Sequence, residues 1–502
     1  MPGADATGPR RSPSVVSDDA PGGAANSAVL RTALFAAVVA LVCVGAIGLV
    51  AGLRGESAGE TDAAAVLGTP VLSARRVPAA LRAAVARQRL GKQVTNVLAG
   101  PDVSSAAAKS CAVVRVDGGI VTAAAGRREV VPASTLKVLT AIGVLARIDA
   151  TERFVTTVRA TAKPVGGILT GDLWLVGGGD PLLETASYTT TQNHGASVAT
   201  SLDTLADNVR AAGITQVTGR IVGDDRRYDS IRVVPTWKRS YVTSGEVGPT
   251  GGLMIDDNFT RLNAKGVRTA AVDVGADAAG AFQRALLERG ITVVGLPSSA
   301  AAGSADAATV APVPVADIRS ASLGDIIGEM LRWSDNTTAE MLVKELGFRT
   351  AGKGTTADGI AAIRAALVLR GIDVARMRTV DGSGLDRSDR VTCELLVDAI
   401  ATQEPDGPFM AGLPVMGEAG TLRRRLRGTA AAGKVHAKTG SLNGVSSLAG
   451  RAEASDGTTV EFAIAFNGLT STAQGVAAGN AISEALVTYP DAPALEQLGP
   501  VR

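Results

Sequence analysis

Pro132-Ala133-Ser134-Thr135-Leu136-Lys137-Val138-Leu139-Thr140 places a serine one helical turn ahead of a lysine, at the head of an apolar run. At i and i+3 on a helix the two side chains share a face. A serine hydroxyl attacks only once a nearby base takes its proton. Lys137 is the candidate base, because burial and a second cation nearby lower an amine's pKa. Val138, Leu139, Ile142, Val144 and Leu145 would seat the helix in a core and partly desolvate that amine. Of the ten lysines, only Lys137 has a serine three residues before it. The same pair also fits an ordinary solvated helix face, so the rest of the chain decides.

A length of 502 residues allows two to four domains. The composition is globular, with 46 % hydrophobic and 20 % charged residues and a net charge of +2. The one basic block is Arg423–Arg427, so nucleic acid is not an expected partner. The two histidines, His194 and His436, lie far apart, and no G-x-S-x-G elbow suggests a Ser-His-Asp triad. Cys43, Cys111 and Cys393 form no CxxC or Cys/His cluster, so no metal site is expected. Cys111 and Cys393 fit either a disulfide in an oxidising compartment or two buried thiols.

Residues 1–30 are rich in Pro, Gly, Ser and Ala without periodicity, the composition of a disordered tail. The uncharged run from Thr32 to Leu53, closed by Arg31 and Arg54, is long enough to span a bilayer at about 1.5 Å per residue. It is longer than a signal-peptide core and lacks a small-residue cleavage site. The expectation is a single-pass anchor over 31–54, with the tail cytoplasmic and everything after it outside; cleavage and secretion is the alternative. Arg10, Arg11 and Arg31 before the segment favour that orientation.

After a small-residue linker at 55–75, the pattern divides in three. Residues 76–152 begin an α/β domain, with a helix from Val77, a hairpin over 110–124 and the Ser134 helix ending near Ala150. Residues 153–316 change style and read as inserted α+β domains. They hold strands at Val155–Ala160, Leu173–Val176 and Gln216–Val222, helices at Leu202–Ala212 and Ala279–Arg289, and a turn-rich stretch between. Gly177-Gly178-Gly179-Asp180-Pro181 lacks phosphate-loop spacing and reads as a structural turn. Residues 317–490 resume the first domain with helices and then three strands over 434–467, and 491–502 form a tail.

Two further short motifs follow Ser134. Ser334-Asp335-Asn336 sits at a helix junction, where the serine and asparagine can face one cleft. Lys438-Thr439-Gly440 lies on a strand, offering positive charge, a hydroxyl for a carboxylate, and clearance for a substrate backbone. Singly they read as a helix cap and a surface lysine. Together and in this order they match the S-x-x-K, S-x-N, K-T-G set of penicillin-binding proteins and serine β-lactamases. Residues 171–181, Asp381-Gly382-Ser383-Gly384-Leu385, Gly420-Thr421-Leu422 and 436–450 extend the match. The chain resembles the D-alanyl-D-alanine carboxypeptidase/endopeptidase family of low-molecular-mass penicillin-binding proteins, the type with a large insertion between its first two motifs.

That resemblance implies a penicillin-binding-protein/serine β-lactamase-like transpeptidase domain, an antiparallel sheet flanked by helices, interrupted by the insertion. It implies acyl transfer on peptidoglycan stem peptides ending in D-Ala-D-Ala, with β-lactams as mimics and no metal or cofactor. Ser134 would be the nucleophile, Lys137 its base, Ser334 a proton relay, and Asn336 a bond to the substrate amide and to Lys137. Lys438 would disfavour the charge on Lys137 and, with Thr439, hold the terminal carboxylate. Gly440 would give clearance, and the N–H groups of Ser134 and Ser441 an oxyanion hole. His436, two before Lys438, would share its strand face and reads as packing.

Carboxypeptidase and endopeptidase would use this same site and differ in which amine leaves. A class A β-lactamase needs a glutamate-bound water, yet none of Glu340, Glu345, Glu394, Glu404 and Glu418 is followed by asparagine four residues on. A catalytically idle wall-binding protein is the remaining alternative.

Overall fold

The computed structural model describes residues 77–262 and 268–498. The expected tail, anchor and linker fall outside the described residues. Among those described, no helix is long and apolar enough to cross a membrane.

One sheet joins the first and last parts of the described chain. Helix α1 (Val77–Ala99) precedes strands β1 (Cys111–Val116) and β2 (Gly119–Ala124). Asp117 and Gly118 turn that hairpin with φ of 48° and 73°, the left-handed region that glycine enters without a Cβ clash. A single 3-10 turn, Ala133–Thr135, leads into α2 (Leu136–Leu145). More than three hundred residues after β2 the chain returns as β3 (Val435–Leu442), β4 (Val445–Glu453) and β5 (Thr459–Asn467). The order is β3-β4-β5-β1-β2, antiparallel throughout. The segments before and after the insertion are therefore hydrogen-bonded into one layer.

Side-chain size sorts the two faces of this sheet. On β5, Val460, Phe462, Ile464 and Phe466 point to one side, toward α1 and α7 (Thr472–Val487). Ala463 and Ala465 point to the other, toward α2 and α6 (Cys393–Ala401). Small residues on that second face let α6 lie close to the sheet. A larger side chain at Ala463 would overpack it, at a cost of about 1–3 kcal/mol. Every residue of α2 from Leu136 to Val144 is buried, as expected of a helix that is apolar nearly all round. Helices α3 (Leu323–Trp333), α4 (Asn336–Ala351) and α5 (Thr356–Leu369) complete its surroundings. Gly143 admits α5, since a Cβ there would lie 2.9 Å from Ile363. Cys111 on β1 and Cys393 on α6 are joined as a disulfide, which settles the two readings left open for them.

The insertion has its own sheet, ordered Ser298–Ser299, Ile221–Asp224, Leu173–Val176, Val155–Ala160, Val313–Arg319. The run expected as one strand over Gln216–Val222 divides. Gln216–Val217 pairs with Ile168–Leu169, whereas Ile221–Asp224 pairs with Leu173–Val176. The break is at Gly219, where a Cβ would meet Gly171 O at 2.4 Å, and Asp172 accepts the Arg220 N–H at 3.0 Å. The 177–179 glycines are packing residues. Cβ atoms on them would lie 2.1–2.4 Å from Gly252, Val155 and Tyr228. The Ser134 helix is shorter than expected, ending at Leu145.

Candidate active site

Ser134 sits in the 3-10 turn, held from both sides. Pro132 O accepts the Thr135 hydroxyl at 2.7 Å and the Ser447 hydroxyl at 2.6 Å, which ties the turn to β4. Ala133 adopts φ 49°, a left-handed conformation that costs a non-glycine residue about 1–2 kcal/mol. The turn is thus forced by its surroundings, and the half-buried Ser134 faces a cleft of about 820 Å³.

Lys137 lies under that serine with no exposed surface. Its Nζ is 3.2 Å from Ser134 Oγ, 2.6 Å from Asn336 Oδ1 and 2.8 Å from Ser383 O. These are three acceptors for three N–H donors. Burial lowers the Lys137 pKa to about 8, opposed by the negative charges of Asp335, Asp381, Glu340 and Glu246. The expected push from Lys438 is not the main cause; burial is.

Ser334 terminates α3 in the left-handed region, at φ 66°, and Asp335 caps α4 by accepting from Thr337 N at 2.8 Å. A helix stop followed at once by a helix start throws Ser334 and Asn336 toward the cleft. Lys438, also without exposed surface, donates to Ser334 Oγ at 2.8 Å and to Thr439 O at 2.8 Å. Burial, then the charge of Lys137, drives its pKa well below the usual lysine value.

The structure therefore brings all eight predicted residues to one place, at two levels. The lysines lie beneath the serines, whereas the cleft wall is made by Ser134, Ser334, Asn336, Thr439, Gly440 and Ser441. Lys438 is thus not at the surface where a carboxylate would sit. Gly440, expected to clear a substrate backbone, lines the cleft and also clears the protein's own turn. A Cβ there would lie 2.2 Å from Ser447 Oγ, 2.8 Å from Pro132 O and 3.0 Å from Ser134 N. His436 is half-buried and pairs in register with Arg451, consistent with packing.

Several cleft residues carry no site role in the sequence reading, although Thr421 and Arg425 lie in stretches it quotes. Thr421 faces Thr439, hydroxyl to hydroxyl, at 2.8 Å. Arg425, which donates to Asn480 Oδ1 at 2.7 Å, lines the cleft as a cation whose pKa burial lowers to about 10. Tyr241 and Glu246 bring the insertion into the wall. Ser383 O, which accepts from Lys137, lies in a stretch already quoted for the resemblance; a backbone acceptor leaves no side-chain signal.

The model of the D-Ala-D-Ala carboxypeptidase 3 (S13) family matches residues 90–268 and 260–489. A D-alanyl-D-alanine carboxypeptidase of Actinomadura sp. is 31 % identical over 515 residues, covering 87 % of this chain and 92 % of the relative. Carboxypeptidase DacB of Mycolicibacterium smegmatis is 32 % identical over 350 residues, 67 % of this chain and 71 % of the relative. Among solved structures, penicillin binding protein 4 of Haemophilus influenzae shares the fold, with a TM-score of 0.64 at 21 % identity, covering 78 % of this chain and 97 % of that one. The match to the family model runs through both halves of the catalytic sheet and through the insertion between them. The chain belongs to the D-Ala-D-Ala carboxypeptidase 3 (S13) family and is a serine-type D-Ala-D-Ala carboxypeptidase.

Proposed function

We propose that Ser134 is the nucleophile and Lys137 its general base, acting on peptidoglycan stem peptides that end in D-Ala-D-Ala. The observation that carries this is the 3.2 Å approach of a fully buried amine to a cleft-facing serine. In the neutral form the Lys137 lone pair accepts the Ser134 proton as Oγ adds to the carbonyl between the two D-alanines. The N–H groups of Ser134 and Ser441 would receive the developing oxyanion. Ser334, 2.8 Å from Lys438, would relay to the departing amine the proton that Lys137 took from Ser134, as the C–N bond breaks. D-Ala leaves, and water hydrolyses the serine ester. Thr439, oriented by Thr421, and Arg425 would hold the terminal carboxylate, with Lys438 acting from below. Asn336 would bond the substrate amide.

A β-lactam presents a similar carbonyl and carboxylate, so it would acylate the same serine; the Haemophilus influenzae protein has been solved with a β-lactam. The catalytic part is proposed to lie outside the cytoplasm behind a membrane span over 31–54. The uncharged run supports this, as does the Cys111–Cys393 disulfide, a bond that persists in oxidising compartments. The N-terminal mass of the fractionated native protein decides between an anchor and a cleaved signal.

The test of the chemistry pairs wild type with Ser134→Ala. Fluorescent penicillin should label only the wild type. Diacetyl-Lys-D-Ala-D-Ala should release D-Ala, read by mass. Cleavage of a cross-linked muropeptide alone would make the enzyme an endopeptidase, and absence of both labelling and cleavage would leave an idle wall-binding protein.

A further inference from the structure

The loop Asp381–Asp386 lies between Lys137 and the insertion. Ser383 O accepts from Lys137 Nζ, and Gly382 O accepts the Thr140 hydroxyl at 2.7 Å. The loop also abuts the nucleophile's turn, since a Cβ on Gly384 would lie 2.0 Å from Ala133 O. Two buried carboxyl groups fix its shape. Glu340 Oε1 accepts the N–H of Gly382 at 3.0 Å and of Ser383 at 2.7 Å. Asp381 accepts the N–H of Gly384 and of Asp386, each at 2.8 Å.

A third support comes from the insertion. Trp237, 8 % exposed and packed with Val247 and Leu385, donates its indole N–H to Asp381 Oδ2 at 2.8 Å. The neighbouring Thr236 hydroxyl donates to the Asp386 carboxylate. A few residues on, Glu246 O accepts Asn336 Nδ2 at 2.8 Å, which turns Asn336 Oδ1 toward Lys137. Two of the three acceptors around the Lys137 amine are therefore set by one inserted segment. Trp237 and Asp381 themselves do not line the cleft.

We propose that Trp237 is a positioning residue for acylation: through Asp381 and the 381–386 loop, its indole N–H holds the Ser383 carbonyl against the Lys137 amine. The insertion is then part of the catalytic support as well as of the cleft wall. The inference rests on Lys137 acting as the base for Ser134. Losing the indole donor leaves Asp381 one bond poorer and lets the Ser383 carbonyl retreat. Lys137 then loses an acceptor for its ammonium form. The groups facing that amine are Asp335, Asp381, Glu340, Glu246 and Lys438. Asp389 packs beside Asp381. Losing the Ser383 acceptor removes a partner that favours the proton, so the base's titration moves to lower pH while its aim at Ser134 worsens.

The experiment follows acylation of the full chain by fluorescent penicillin from neutral to alkaline pH. Trp237→Phe should lower the plateau rate about 10-fold, the loss of one hydrogen bond to a charged group, and shift the midpoint downward. Asp381→Asn should shift it in the same direction and further, and it carries the test if Trp237→Phe does not fold. Tyr228→Phe is the structural control. It removes a 3.0 Å bond from the insertion to Glu345, farther along α4, and should leave midpoint and plateau at wild-type values. Wild-type kinetics in Trp237→Phe, or the same change in Tyr228→Phe, overturns the inference. Labelling that survives Ser134→Ala, or is absent in wild type, instead overturns the reading of the site.

Discussion

Two serines in this molecule each touch a fully buried lysine, yet the two pairs are not equivalent. Beneath Ser134, Lys137 has three acceptors and four acidic neighbours, which resist the effect of burial and leave its pKa about 8. Beneath Ser334, Lys438 has two acceptors. Burial and the Lys137 charge both act against its proton, and no carboxylate among the described residues is placed to oppose them. Burial alone makes an amine neutral; nearby carboxylates decide at what pH. The first pair is thereby poised to exchange a proton near neutrality, whereas in the second burial and the Lys137 charge both push the amine's pKa down unopposed. The lysine expected to supply positive charge is the one whose surroundings do nothing to favour its proton.

The largest expected effect is on the first pair. Lys137→Ala should slow acylation about 1000–10,000-fold, the upper range for a general base, measured by rapid-mixing labelling. An enzyme nearly as fast as wild type would break the assignment of Lys137. Lys438→Met should cost about 100-fold in rate, with the acid-limb midpoint of the pH profile unmoved; a large upward or downward shift would mean that Lys438 carries charge beside Lys137 after all. In wild type, the base must be unprotonated to accept the serine's proton. Acylation should therefore rise about tenfold per pH unit at low pH and level off above about 8. A profile already flat at neutral pH would place the base's pKa lower than burial and its acidic neighbours set it.

The smallest effect concerns the backbone. Ser334→Gly relieves a left-handed residue and should change unfolding free energy by no more than about 1 kcal/mol, in the stabilising direction. Deacylation and turnover should nonetheless fall, because the hydroxyl partner of Lys438 is gone. Chemical denaturation beside D-Ala release separates the two; a destabilised Ser334→Gly would show that the hydroxyl supports the fold more than the chemistry.

Much of the fold was legible where a pattern repeats along a strand or helix. The strands at Val155–Ala160 and Leu173–Val176 match their expected bounds to the residue, because alternation in the first and a short apolar run in the second are local information. The division of 216–222 was not, since its cause is Asp172, far earlier in the chain. At the site, the ordered motifs named the serines, the lysines and Asn336. They did not show that both lysines lie under the cleft floor, or that Gly440 serves the protein's own turn.

The sequence alone determined which side chains would meet and in what kind of fold. Ser134, Lys137, Ser334, Asn336 and Lys438 are spelled in short motifs whose order and context point to one family. Only the tertiary structure decided what state those groups are in. The pKa of Lys137 depends on burial by α2's neighbours and on carboxylates at 246, 335, 340 and 381, brought together from distant parts of the chain. The Ser383 carbonyl and the Trp237 indole contribute through direction and distance, which a residue name does not carry. Electrostatic energy and hydrogen-bond geometry are functions of position in space, and for this active site those positions are set jointly by the catalytic part and its insertion.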